Sequence, residues 1–409
     1  MRRAASPLHR AIRMLTVLGA TAGMLLAATG TADASAGQWP LDASHFQAER
    51  IWALSKGAGV TVAVVDSGVE AAHPDLAGQV LPGTSLLGDG ADGRTDTSSD
   101  SHGTAIAALI AGTGASSHGK GITGLAPAAK ILPVRVTTTS EVTPSLLAQG
   151  ITWAADHGAQ VINVSMGEPD PDPLLKQAVD YAMSKNAVVV ASAGNDGQSG
   201  NEIMYPAGFP GVVAVSGTDQ NNAFWPTSES GPDITVAAPA SQIASASDTG
   251  QYVEADGTSY AAGYVSAAFA LIRSRYPSLT AGQAIRRLIA TTGQHANAPS
   301  AEMGYGEIDP LAALTSDISA GASTNPLLAP RPATPSPSGT TITWTIAAGI
   351  LAAILLGLTG WLLVRRNSTG PTRKAPARTT AAPPRPPASG NRRTNTKQQP
   401  RAKSPTRSR

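Results

Sequence analysis

Residues 60–69 read VTVAVVDSGV, an unbroken apolar run, largely β-branched, that ends on Asp66 and turns at Ser67-Gly68. A strand buried on one face alternates polar and apolar side chains. A run without alternation is buried on both faces, the habit of a parallel sheet covered by helices. The same character returns at 161–164 (VINV), 188–192 (VVVAS), 212–215 (VVAV) and 234–237 (ITVA). Helical stretches separate these runs: an Ala-rich one over 104–111, one over 145–157 behind Pro144, and one over 172–185 with Pro173 in its first turn. Another Ala-rich helix runs from Ser259 to about Arg275. Strand and helix in alternation predict an α/β fold: a doubly wound, mostly parallel sheet with helices on both faces.

In such a sheet, chemistry collects beyond the carboxyl ends of the strands. Four polar loops fall there. Asp66 closes the first strand in DSGV (66–69), and His102 stands in SHGT (101–104) just before an apolar helix. Asn195 follows a buried strand in SAGND (192–196), and Ser259 sits in GTSYAAG (257–263), again before a helix. Each has an ordinary reading. An Asp at a strand end caps a turn, a Ser before a helix is an N-cap, and an Asn after a Gly tolerates a left-handed turn. Among the seven histidines, His73 in HPDL (73–76) rivals His102 by its nearness to Asp66. Together, however, the four complete a chemistry. A hydroxyl needs an adjacent base to become a nucleophile, histidine supplies it, and a carboxylate fixes the imidazole's tautomer. A Ser at a helix N-terminus also brings a backbone N–H and the positive end of the dipole to a developing oxyanion, and the Asn195 amide offers a second donor.

The chain has 409 residues and no cysteine, which excludes disulfides, thiolate metal sites and a cysteine nucleophile. Its formal net charge of +2 hides a strong segregation. Residues 37–364 hold 13 Lys and Arg against 27 Asp and Glu, a net of −14, which argues against nucleic-acid binding there. The ends differ. Arg2, Arg3, Arg10 and Arg13 precede an uncharged apolar run over 14–29, followed by small residues at Ala32-Asp33-Ala34 and Ala34-Ser35-Ala36. That is the layout of a signal peptide cleaved after Ala34 or Ala36; an uncleaved anchor is the alternative. Residues 342–364 are 23 in a row without a charge, with Trp344 and Trp361 near the ends and Arg365-Arg366 next. They predict a single transmembrane helix with the basic tail on the cytoplasmic side. The expected organisation is a signal peptide (1–36), an N-terminal extension (37–57), a main domain (58–315), a Pro-rich linker (316–341), the span (342–364) and a basic disordered tail (365–409). The extension is too short for a core of its own and is expected to wrap the domain.

The order Asp66, His102, Ser259, with Asn195 between the last two, resembles the subtilases, the subtilisin-type serine proteases. The likeness covers about 37–315 and includes Tyr205-Pro206-Ala207 and Gly304-Tyr305-Gly306. It implies that Asp66 orients, His102 is the general base, Ser259 the nucleophile and Asn195 the oxyanion donor. It also implies that Ser165, Met166 and Gly167 pair with substrate backbone, while Ser192, Ala193 and Gly194 form the opposite wall of the pocket, with an extended polypeptide as substrate. Gly263 and Tyr260 depart from the common Pro and Met of that family. The chain further resembles the mycosins, membrane-anchored subtilases of type VII secretion systems, in its opening Gln38-Trp39-Pro40-Leu41-Asp42, its Pro-rich stalk and its basic tail. Mycosins commonly carry disulfides and this chain does not. The resemblance implies an extracytoplasmic, membrane-tethered serine endopeptidase with no cofactor, in contact with a type VII secretion complex. The alternatives are a structural member of that complex and a broad degradative surface protease. No metal site is read: Asp75, Asp89, Asp92 and Asp96 lie in loops without a recognisable ligand spacing.

Overall fold

The computed structural model describes residues 37–116, 121–139, 141–293 and 299–329. The expected signal peptide, span and tail lie outside the described residues. Seven strands form one sheet: β1 (Thr61–Asp66), β2 (Thr84–Ser85), β3 (Lys130–Arg135), β4 (Val161–Val164), β5 (Val188–Ser192), β6 (Val213–Thr218) and β7 (Val236–Pro239). Their order is β2-β3-β1-β4-β5-β6-β7, and every pairing is parallel. A separate antiparallel pair joins β8 (Ile243–Ala246) to β9 (Tyr252–Ala255). The helices are α1 (Ala48–Trp52), α2 (His102–Ala111), α3 (Pro144–Asp156), α4 (Pro173–Ser184), α5 (Thr258–Arg275), α6 (Ala281–Ala290) and α7 (Pro310–Thr315).

The unalternating strands bury both faces, as their sequence requires. In β1, Val62 and Val64 enter one core with Ile106 and Leu109 of α2 and with Val265 and Phe269 of α5. Ala63 and Val65 enter the other, with Leu147 and Ile151 of α3 and with Leu175 and Val179 of α4. Successive side chains of a strand point to opposite faces, so one strand serves both cores. The helix starts are capped locally. Thr143 accepts from Leu146 N, Asp172 accepts from Leu174 N and Leu175 N, and Thr280 with Gln283 closes a capping box on α6.

The chain passes from β1 to β3 on one side and then to β4 on the other. That reversal opens a crevice beyond the carboxyl ends of the strands, and Asp66, the last residue of β1, stands at it. β3 carries Pro133, a residue that speaks against a central strand. It is tolerated because β2 pairs only with Val134 and Arg135, leaving β3 close to an edge at Pro133.

Both ends of the described chain sit on the domain. Gln38 exchanges two hydrogen bonds with the Thr123 backbone (3.0 and 2.9 Å), Trp52 Nε1 donates to Leu125 O (3.0 Å), and Leu41, Phe46 and Ile51 enter a core. At the other end, Gln283 Nε2 donates to Gly321 O (3.0 Å), Asn325 Nδ2 to Gly211 O (2.7 Å), and Leu327 is buried. Sequence composition placed the linker from 316; the chain instead stays on the domain to Leu327, because hydrogen bonds to Asn325 and burial of Leu327 outweigh the lone Pro326.

Two helical glycines contrast. A Cβ at Gly150 in α3 would meet Val65 Cγ1 at 2.8 Å and Val136 Cγ1 at 2.9 Å, whereas one at Gly263 in α5 would meet Ile106 Cγ2 at 3.6 Å, an ordinary contact. Gly150→Ala should lower the Tm through about 1–3 kcal/mol of overpacking. Gly263→Ala should raise it through up to about 1 kcal/mol of helix propensity. Thermal unfolding followed by circular dichroism checks both; shifts of the same sign would contradict this packing.

Candidate active site

Asp66 is 0% exposed. Its carboxylate accepts the Ser67 backbone N–H (2.8 Å) and faces His102 Nδ1 at 2.8 Å from Oδ1 and 3.0 Å from Oδ2. An oxygen-only acceptor at this distance places the Nδ1 hydrogen on His102, so Nε2 is the nitrogen left to act on other groups. His102 is the first residue of α2, following Ser101 in the left-handed conformation (φ 55°). The turn is held from outside: Ser101 Oγ donates to Asp248 Oδ1 (2.7 Å), and the buried Asp96 accepts from Thr104 N and Oγ1 (2.9 and 2.8 Å) and from Ser98. Gly103 lets α2 approach β1, since a Cβ there would lie 2.0 Å from Gly68 O.

Burial alone disfavours the imidazolium. The Asp66 carboxylate, through its charge and its hydrogen bond, outweighs that, with Asp100 and Asp96 adding, and His102 is pushed up to about 9.

Ser259, 7% exposed, is the second residue of α5. Its Oγ donates to Ser165 O (2.9 Å), while the single hydrogen of Ser165 Oγ has two acceptors in reach, Asn163 Oδ1 (2.9 Å) and Ser259 O (3.2 Å). The hydroxyl is thus held by the loop that follows β4. Asn195 Oδ1 accepts both Thr258 N (2.9 Å) and Thr258 Oγ1 (3.0 Å). A backbone N–H can only donate, which settles the amide's orientation and leaves Nδ2 as the free-facing donor.

His102, Ser165, Met166, Gly167, Ser192, Gly194, Asn195 and Ser259 line one cavity of about 400 Å³. Ala193, read from the sequence with its neighbours, is buried beneath the wall, its N–H on Val215 O and its carbonyl on Met204 N. Asp66 lies behind His102. His73, the sequence rival, is buried at a 3₁₀ turn with Nδ1 accepting from Asp75 N (3.1 Å), away from the cavity lining. Burial lowers its pKa, against the pull of Asp75, and keeps it neutral. The loop acids are engaged elsewhere: Asp75 by Ser116 N, Ile122 N and Tyr252 OH, Asp89 by Arg135, Asp92 by Arg94 N, and Asp96 as above. Among the described residues, no group of three or more His, Asp or Glu is placed to hold a metal.

Sequence reasoning missed Glu229. It lines the same cavity, is 2% exposed, and has its Oε2 buried without a hydrogen-bond partner among the described residues. A loop glutamate in TSESG carries no local signal of burial. The nearest hint was Gly194 (φ 120°), where a Cβ would lie 2.0 Å from Glu229 Oε2.

The Subtilase family matches residues 57–306. Mycosin-3 of Mycobacterium tuberculosis is 34% identical over 391 residues, 78% of this chain and 82% of the relative. Subtilisin DY of Bacillus licheniformis is 39% identical over 58% of this chain and 84% of its own. The crystal structure of MycP1 with its N-terminal propeptide removed superposes with a TM-score of 0.62 at 32% identity, covering 70% of this chain and 99% of that one. MycP3 protease of the ESX-3 type VII secretion system gives 0.59 at 32% identity, covering 71% and 90%. The chain belongs to the subtilase family of serine endopeptidases, with the mycosins among its relatives.

Proposed function

We propose that this subtilase is a membrane-tethered, extracytoplasmic endopeptidase that cuts an exposed, extended segment of a secreted protein. The observation that carries the chemistry is the convergence of His102, its buried Asp66 partner, Ser259 and Asn195 on one cavity. Ser259 Oγ leaves the Ser165 carbonyl and attacks the scissile carbonyl carbon as His102 Nε2 takes its proton. Asp66 steadies the imidazolium. The oxyanion is held by Asn195 Nδ2 and by the Ser259 N–H, one of the first-turn amides of α5 without an intrahelical partner. The His102 proton passes to the departing amine nitrogen, and a water then hydrolyses the acyl-enzyme by the same base. Ser165–Gly167 and Ser192–Gly194 flank the substrate as neighbouring strands.

Tethering rests on residues 342–364 and the Arg365-Arg366 that follow; secretion rests on the signal-like residues 1–36. The contacts of Gln38, Trp52 and Ile51 support a mature chain that keeps residues 37–57 as part of the domain. Kinship with MycP1 and MycP3, proteases of type VII secretion systems, supports a place beside such a complex. It also favours a second reading, a structural role in that complex. Restoring a deletion strain with Ser259→Ala separates the two: full rescue of secretion favours the scaffold, and failure favours the chemistry.

A fluorophosphonate probe should label the folded wild type and leave Ser259→Ala unlabelled; equal labelling of the two, or none in either, would contradict the assignment. The base form of His102 grows with pH, and its folded pKa lies above 6.5. kcat/KM should therefore rise through an acid limb centred above pH 6.5 and toward about 9. Asp66→Asn should cut kcat by roughly 10⁴-fold and move that midpoint down. A limb that stays put in Asp66→Asn would count against the pairing. Stability runs the other way: the pair's contribution is complete below about pH 6.5 and is lost as pH rises through about 9.

A further inference from the structure

The cavity that holds Ser259 and His102 also takes in three carboxylates, Asp100, Asp196 and Glu229, and no Lys or Arg. Asp100 and Asp196 stand exposed, where solvent screens them. Glu229 differs. It is 2% exposed, its backbone N–H is fixed on Gly194 O (3.1 Å), and its Oε2 has no partner among the described residues. A carboxyl buried for packing alone is ordinarily satisfied on both oxygens, because each unmet one costs free energy. The glycine beneath it is obligatory, since a Cβ at Gly194 would lie 2.0 Å from Oε2 and 2.4 Å from Cδ. The wall is thus cut away where the carboxyl stands. Two flexible thioethers, Met166 and Met204, line the same cavity and suit a long alkyl stem.

We infer that Glu229 is a specificity residue: it receives the cationic head of a Lys or Arg side chain on the substrate residue just before the cut bond, while Met166 and Met204 pack its stem. This rests on the endopeptidase reading above. The ammonium or guanidinium would meet the open oxygen by a charge-assisted hydrogen bond, strengthened by the burial of the carboxyl. Burial, with Asp196 adding and the backbone amides of Asp196 and Met204 opposing, holds the Glu229 carboxyl up at about 7. A bound cation draws it toward the ionised form.

The test uses the full chain in mild detergent at pH 8.5 and a fluorogenic peptide series that differs only before the scissile bond: Arg, Lys, citrulline, Leu and Phe. Citrulline keeps the shape of Arg and lacks its charge, so the first comparison needs no variant. Arg and Lys should exceed citrulline and Leu in kcat/KM by about tenfold or more. Glu229→Gln should collapse that preference while still taking the fluorophosphonate at Ser259, and Asp196→Asn should leave most of it. Equal rates for Arg and citrulline, or a preference untouched in labelled Glu229→Gln, would overturn the inference. Absence of probe labelling in the wild type would instead overturn the peptidase reading beneath it.

Discussion

A carboxylate with no exposure, at the end of a central strand, is tolerable only when it is paired. Asp66 is paired with His102, and much of the architecture serves that contact. β1 ends where the sheet reverses, which opens a crevice there. α2 begins at His102 because Asp96, Ser98 and Ser101 hold the preceding turn. Gly103 removes the side chain that would keep the helix from the strand. Remove the carboxylate and the imidazole loses its tautomer, its orientation and the field that raises its pKa.

The same pairing sets two properties against each other. The proposed mechanism needs His102 neutral and so calls for higher pH, whereas the ion pair it forms when protonated stabilises the fold at lower pH. The resting hydroxyl adds a second layer. Ser259 sits on the Ser165 carbonyl, in the segment expected to pair with substrate, and not on His102.

Much of this is legible in the sequence. Unalternating strands announced a sheet covered on both faces, and Asp66, His102, Asn195 and Ser259 each stood at a strand end or helix start, where a doubly wound sheet gathers its chemistry. What escaped was whatever depended on distant contacts. β3 hid behind Pro133, whose presence is excused only by the shortness of β2. The hairpin β8–β9 has strands of four residues whose pattern is too brief to read. Ala193 shared a motif with two cavity residues yet points into the interior, as strand alternation requires. Glu229 lay in an unremarked loop, and only tertiary burial against Gly194 makes it chemically distinct. The expected span at 342–364 lies outside the described residues, and among those described no helix is long and apolar enough to cross a membrane.

The site depends on a hydrogen at His102 Nδ1 held by the buried Asp66 carboxylate. Proton NMR of ¹⁵N-histidine-labelled protein tests it directly. One strongly deshielded ring N–H should titrate above pH 6.5, be absent from His102→Ala, and lose its deshielding in Asp66→Asn. A His102 ring that titrates at or below 6.5 with no deshielded proton would contradict it.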